Sequence, residues 1–124
     1  MIMLDTHIAV AFYDGRNGGL SAKARRVIDH EPVAISPAVL LELEVLHEIG
    51  RLRDNADAIA AHLRDQLDIR IAGERFVDVA RAAVALAFTR DPFDRLIVAH
   101  AVLLKAPLVT HDTSLGRHYS AALN

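Results

Sequence analysis

The sequence predicts an α/β fold in which a central parallel sheet of four to five strands is sandwiched by helices. Short apolar runs typical of buried strands alternate along the chain with longer segments of helical period. Strands that alternate with helices pair in parallel through right-handed crossovers. The length of 124 residues and the 52% share of hydrophobic residues suit one domain with its own core.

Polar residues and proline mark where the first helices begin, and glycines mark where two of them end. Ser21 is a capping residue, and Ser36 is a cap followed by Pro37 at the first helical position. The glycine-rich loop at 15–19 and Gly50 are typical chain breaks. In order, the predicted elements are a strand at 1–4, a short helix at 7–13, a helix at 21–29, a strand at 33–35, a helix from 36 to about 50 and a helix from 54 or 55 to about 67.

The second half of the chain continues the same alternation. Apolar residues recur at a helical period from about Glu74 to Ala87 and predict a long helix. Asp91 and Pro92 again form a cap followed by a first-turn proline. The predicted elements are a strand at 69–71, helices at 74–87 and 91–105, a strand at 107–110 and a short edge strand around His118–Tyr119.

The composition excludes several classes of protein. The chain has no cysteine, which removes disulfides, thiolate zinc sites and cysteine nucleophiles. The net charge of −2 is not the strongly positive charge typical of proteins that bind nucleic acid. Any contact with nucleic acid must therefore use a local basic patch or cations that bridge acidic residues to phosphate. No apolar run approaches a membrane span, and the N-terminus lacks the basic region of a signal peptide, so we expect a cytoplasmic protein without membrane attachment.

Four acidic residues are predicted to approach the same edge of the sheet. Asp5 follows the first strand and Asp112 lies just beyond the strand at 107–110, where α/β proteins bind ligands. Glu42 lies on the apolar side of its helix, and Asp94 is at the third position of its own. Each acid alone has a structural explanation as a cap, a turn former or a solvated residue. Asp91 is expected to be the cap of the helix that carries Asp94.

The joint placement of these acids favours a chemical role. Unpaired carboxylates close together repel one another and raise one another's pKa. A divalent cation that prefers oxygen ligands relieves this repulsion, and Mg²⁺ combines a few carboxylates with waters and substrate phosphates. The cluster therefore predicts phosphodiester chemistry, in which a metal-activated water attacks phosphorus.

Four segments together carry a family resemblance. They are MLDTH at 3–7, ISPAVLLELEVLHEIGRL at 35–52, TRDPFDRLIVAHA at 89–101 and PLVTHD at 107–112. In order and spacing they resemble PIN-domain ribonucleases, specifically the VapC-type toxins of bacterial and archaeal type II toxin–antitoxin systems. The resemblance implies one PIN domain over residues 1–124.

The resemblance also implies roles for individual residues. By position, the catalytic metal-binding acids match Asp5, Glu42, Asp94 and Asp112. Thr6, Ser36 and Thr110 match polar residues that support such a site. Apart from the resemblance, the arginines at 16, 51, 53, 90, 95 and 117 could rim the groove, and Arg90 and Arg95 are the preferred candidates for substrate contact. Two positions depart from the pattern, because Leu46 stands where many relatives carry a basic residue and His111 where arginine is often seen.

The activity implied is that of an endoribonuclease dependent on Mg²⁺ or Mn²⁺, acting as the toxin of a toxin–antitoxin pair. The implied partners are an RNA substrate, a cognate small antitoxin whose C-terminal segment covers the acidic groove, and a second copy of the chain in a homodimer. One alternative is a phospho-aspartyl phosphatase, which wants a second acid where His7 stands. Others are a receiver-like signalling module that uses Asp5 as phospho-acceptor, and a non-catalytic binding module.

The seven histidines do not show the spacing of a zinc site. His100 lies in an apolar helix and is expected to be a core residue with a bonded ring nitrogen. No hydroxyl residue has an evident histidine partner, so a serine hydrolase is not expected.

Overall fold

The computed structural model describes residues 1–124 as a five-stranded parallel sheet flanked by seven helices, which confirms the predicted α/β fold. The strands are β1 (Ile2–Leu4), β2 (Val33–Ile35), β3 (Ile69–Ile71), β4 (Leu108–Val109) and β5 (Ala122–Leu123). The helices are α1 (Thr6–Tyr13), α2 (Ala22–His30), α3 (Pro37–Glu48), α4 (Ala56–Leu67), α5 (Phe76–Val84), α6 (Pro92–Leu104) and α7 (Thr113–His118).

The strand order is β3-β2-β1-β4-β5, with β1 at the centre. In register, Met3 lies opposite Ala34 of β2 and Leu108 of β4. The chain leaves β1 toward β2 and later returns to its other side with β4, so β1 and β4 flank a topological switch point. Such a point leaves a crevice outside the carboxyl ends of the strands, and Asp5 stands directly at it.

The core surrounds the central strand. All three residues of β1 have no exposed surface, and Ile8, Leu43 and Ile97 from three different helices are equally buried. Fully burying an aliphatic side chain of this size contributes roughly 1.5–3 kcal/mol, which is why tertiary packing can hold strands of only two or three residues. The carboxyl end of β1 is thereby held rigidly.

Polar caps explain where the helices begin. Ser21, Ser36 and Asn55 accept a hydrogen bond from the first turn of the helix that each precedes, and such a cap is worth about 1 kcal/mol. Asp91 accepts from the backbone N–H groups of Phe93 at 2.9 Å and Asp94 at 3.3 Å, so its expected role as cap is confirmed.

Two predicted elements differ in the structure. The expected edge strand at His118–Tyr119 was wrong, because residues 113–118 form α7 and the edge strand is β5. Asp112 caps α7 and Leu115 is buried beneath it, which favours a helix there. The α5 helix is shorter than predicted at both ends.

None of the helices combines the length and the apolar character that a membrane crossing requires. The longest has 13 residues.

Candidate active site

A groove of about 940 Å³ opens at the carboxyl edge of the sheet, beside the switch point. All four acids predicted from sequence line it, although they come from four separate segments of the chain. The other lining residues include two histidines and two arginines. The polar and charged members are Asp5, Thr6, His7, Arg16, Asn17, Glu42, Arg51, Asp94, His111 and Asp112.

Asp5 is the most firmly held of the acids. Its backbone N–H donates to the carbonyl of Val109 at 3.0 Å, which ties the end of β1 to β4. Its Oδ1 accepts from the N–H of Thr6 at 2.8 Å, and its Oδ2 accepts from Thr110 Oγ1 at 2.6 Å. Only 5% of Asp5 is exposed, so the carboxylate has one fixed orientation toward the groove.

Glu42 faces Asp5 from the second turn of α3. Thr6 Oγ1 donates a hydrogen bond to Glu42 Oε1, so one threonine supports two of the acids. Burial raises the pKa of Glu42, and the negative charges of Asp5 and Asp91 raise it further, whereas the bond from Thr6 opposes this.

Asp94 is the acid with the most perturbed environment. Burial and the negative charges of Asp91, Asp5, Asp112 and Glu42 raise the pKa of Asp94 to about 7. No hydrogen bond or ion pair to its carboxylate offsets these effects. A partly buried carboxyl group with like charges around it and no partner is typical of a functional site.

Asp112 joins the groove from the β4–α7 connection. Its Oδ1 accepts from the N–H groups of Ser114 at 2.8 Å and Leu115 at 3.2 Å, which leaves Oδ2 without a protein partner. Its own N–H donates to Thr110 Oγ1 at 3.0 Å, and that hydroxyl donates to Asp5. Thr110 is therefore a bridge that sets the position of Asp112 relative to Asp5.

The acids lack cationic partners. No lysine or arginine pairs with any of the four, and the nearest approach of a basic group is His7 Nδ1 at 3.5 Å from Asp5 Oδ2. No group of three His, Asp or Glu side chains is close enough to enclose a metal ion on its own. Because Mg²⁺ keeps several waters and takes one or two carboxylates plus substrate oxygens, an open set of oxygen ligands with uncompensated charge fits such an ion.

Two histidines form one wall of the groove. The backbone N–H of His111 donates to His7 Nε2 at 2.9 Å, and the two imidazole rings stack with their centroids 5.8 Å apart. His111 Nε2 also hydrogen-bonds the carbonyl of Gly18, which ties the glycine-rich loop to the end of β4. Both rings are thus positioned by the protein, and the 15–19 loop is anchored beside Asp5.

The arginines that line the groove are Arg16 and Arg51, and not the two preferred from sequence. Arg90 donates to the carbonyl of Ala87 at 3.1 Å, in the connection between α5 and α6. Arg95 donates to the carbonyl of Ala83 at 3.1 and 3.2 Å, at the end of α5. Arg95 adjoins Asp94 in sequence, but adjacent helical residues point about 100° apart. The helical periodicity could therefore have predicted that Asp94 and Arg95 point in different directions.

Ser36 lies behind the groove and is only 1% exposed. Contrary to the expectation that no hydroxyl has a histidine partner, Ser36 Oγ lies 3.0 Å from His100 Nδ1. His100 Nε2 lies 2.9 Å from Glu74 Oε1, so His100 is the bonded core histidine that was expected. Because the serine is buried and also accepts from the N–H of Ala38, it offers no nucleophile to a substrate.

The central sheet and the acidic groove at its switch point define the class, an α/β domain whose ligand site is built of carboxylates. The PIN domain family model matches residues 2–120, and the chain belongs to the PIN domain family. PIN domains are generally nucleases that use divalent metal ions.

Solved structures show the same fold. One, described as a toxin–antitoxin complex from Klebsiella pneumoniae, matches with a TM-score of 0.66 and 20% identity, over 100% of this chain and 97% of the other. Another, VapBC2 from Rickettsia felis bound to a DNA fragment from its promoter, matches with a TM-score of 0.64 and 22% identity, over 94% of this chain and 92% of the other. No curated protein sequence matches the chain significantly.

Proposed function

We propose that the protein is an endoribonuclease dependent on Mg²⁺ or Mn²⁺, that residues 1–124 form one PIN domain, and that it acts as the toxin of a toxin–antitoxin pair. The observation that carries this proposal is the groove in which four carboxylates gather without any lysine or arginine partner. Membership of the PIN family and the likeness to toxin–antitoxin structures support it.

In this proposal Asp5 and Asp94 are the principal metal ligands, and Glu42 and Asp112 complete the acidic set. A divalent cation bound there would activate a water for attack on phosphorus and offset charge on the leaving oxygen. Thr6 and Thr110 orient the carboxylate of Asp5 by donating to both of its oxygens. The carboxyl group of Asp94 has no cationic partner in the protein, so a divalent cation in the groove would stabilise its charged form.

The RNA strand would be held by groove residues outside the acidic set. We propose Arg16 and Arg51 as contacts to phosphates, since arginine binds phosphate through paired donors and both side chains line the groove. Arg90 and Arg95 are the candidates that the sequence favoured, but their guanidinium groups donate to carbonyls of the α5–α6 region. The apolar residues Val10, Leu46 and Leu52 line the same groove and offer contact to bases.

The proposed protein partner is a small antitoxin whose C-terminal segment covers the groove. An arginine of that segment would pair with the carboxylates that lack a cation in this chain and would exclude the metal. A homodimer in the cytoplasm is part of the same proposal.

RNA cleavage with added Mg²⁺ or Mn²⁺ tests the proposal. We expect cleavage by the wild type to be abolished by a chelator, and Asp5→Asn and Asp94→Asn each to reduce it at least ~100-fold, since these ligands act in the chemical step. Asp65→Asn is the matched control, because Asp65 is an exposed aspartate paired with Arg64 on α4. Equal cleavage by all four proteins would exclude the assigned roles.

A phospho-acceptor role for Asp5 is less compatible with this geometry. Both of its carboxylate oxygens already accept hydrogen bonds, and the residue is almost fully buried. Labelling of the wild type with acetyl phosphate at Asp5 would favour that alternative over the nuclease.

A further inference from the structure

A buried chain of hydrogen bonds joins α3, α6 and the segment before α5, behind the candidate active site. We infer that His100, in the middle of this chain, is a positioning residue that sets the spacing between Glu42 on α3 and Asp94 on α6. The inference rests on the proposed function, because it treats those two carboxylates as parts of one metal site. His100 does not line the groove and acts through the two helices.

The register of the two helices connects the histidine to the carboxylates. Ser36, the cap of α3, meets His100 in the middle of α6, whereas Glu42 on α3 and Asp94 in the first turn of α6 line the same groove. Residue numbers therefore rise along α3 as they fall along α6, and the helices pack antiparallel. On each helix the tied residue and the carboxylate are six positions apart, about 9 Å along the axis.

The hydrogen bonds of the chain have a defined direction. Glu74 accepts from His100, and this bond lowers the pKa of the Glu74 carboxyl. In the tautomer that carries its hydrogen on Nε2, Nδ1 accepts from the hydroxyl of Ser36, and Ser36 Oγ in turn accepts from the N–H of Ala38 at 3.2 Å. Every polar atom of the chain then has a partner, and no buried polar side-chain atom of the protein is left without one.

A directional bond supplies what apolar packing between the helices does not. The buried apolar residues of the two helices, such as Val39 and Leu43 on α3 and Ile97 on α6, attract without direction and tolerate small shifts along the axis. A buried hydrogen bond from Ser36 to His100 weakens as the helices slide past each other and is lost by about 2 Å, so it specifies one register. The spacing of Glu42 and Asp94 follows from that register.

Two substitutions of His100 separate its two bonds. In His100→Asn the amide oxygen replaces Nδ1 and accepts from Ser36, and in His100→Gln the amide nitrogen replaces Nε2 and donates to Glu74. We expect His100→Gln to weaken Mn²⁺ binding about 10-fold or more, the usual effect of losing a group that orients metal ligands. We expect His100→Asn to stay within about 3-fold of the wild type. Titration calorimetry with Mn²⁺ alone measures both.

Tyr119→Phe is the control for a loss of stability alone. Tyr119 donates to the carbonyls of Ala101 and Ala106 at the end of α6 and does not reach α3, so its substitution should lower the Tm with Mn²⁺ affinity unchanged. Unchanged Mn²⁺ affinity in His100→Gln, or equal losses in His100→Asn and His100→Gln, would overturn the inference while the proposed function stands. A wild type that binds no Mn²⁺ would overturn both.

Discussion

Two positions on α6, Asp94 and His100, place polar side chains in opposite environments. At its first turn, Asp94 is partly buried among four other acids and has no partner, which raises its pKa to about 7. Six residues further on, His100 is 1% exposed and has a partner at each ring nitrogen. His100, with both ring nitrogens bonded, holds helices together, whereas the ionised carboxylate of Asp94 costs stability that protonation or a bound cation recovers. This contrast separates the structural polar residues of the chain from the candidate functional ones.

The largest effect on stability is expected at His100. His100→Leu keeps a similar volume but leaves the Ser36 hydroxyl buried without its partner and returns Glu74 to solvent. We expect a loss of about 1–3 kcal/mol in the free energy of unfolding, measured by urea titration. His30→Leu, at an exposed histidine on α2, should change it by less than about 0.5 kcal/mol. If His100→Leu unfolds at the same urea concentration as the wild type, the hydrogen bonds of His100 do not stabilise the fold, and the contrast with Asp94 fails.

The opposite sign is expected at Asp94. Its pKa is raised in the folded state, so its contribution to stability is present below pH 4 and is lost as pH rises through about 7. Asp94→Asn should therefore match the metal-free wild type near pH 4 and exceed its free energy of unfolding at pH 8. We expect a gain of about 1–2 kcal/mol, below the full value of the shift because water screens a partly exposed carboxylate.

Added Mg²⁺ sharpens this test. At pH 8 the ion should raise the Tm of the wild type and leave that of Asp94→Asn nearly unchanged, because a ligand that binds only the folded state stabilises it. A variant that is less stable than the wild type at pH 8 in a chelator would show that the carboxylate of Asp94 is compensated in solution.

Much of this contrast follows from the sequence. A parallel α/β alternation brings Asp5 and Asp112 to one edge, and the position of Asp91 before Pro92 distinguishes the cap from Asp94. The hydrogen-bond partners of buried polar groups do not follow from the sequence. The contact of Ser36 with His100, for example, joins residues 64 positions apart and depends on how the two helices are aligned. The sequence did not predict α7, because six residues are too few to show a clear helical periodicity of apolar residues.

The sequence favours Arg90 and Arg95 for substrate contact, whereas the structure places Arg16 and Arg51 in the groove. Arg95 donates three hydrogen bonds to the last carbonyls of α5, so its guanidinium takes the place of a helix cap. Arg51 lines the groove and makes no ion pair or hydrogen bond through its side chain. Because the guanidinium of Arg95 is already hydrogen-bonded within the protein and that of Arg51 is not, Arg95 is structural and Arg51 is free to bind a ligand.

The smallest expected effect tests this division of the arginines. Arg51→Ala should leave the Tm within a degree or two and weaken binding of a single-stranded RNA, with Ca²⁺ replacing Mg²⁺ to slow cleavage. The slope of log affinity against log salt should fall by about 0.7, the value for one phosphate contact on a single strand. Arg95→Ala should instead lower the free energy of unfolding by about 1–2 kcal/mol, since it leaves carbonyls at the end of α5 without a donor, and should keep the slope. If Arg95→Ala lowered the salt slope and Arg51→Ala lowered the stability, Arg95 would have to leave α5 to contact the RNA. Hydrogen bonding inside the protein would then not distinguish structural arginines from RNA-binding ones.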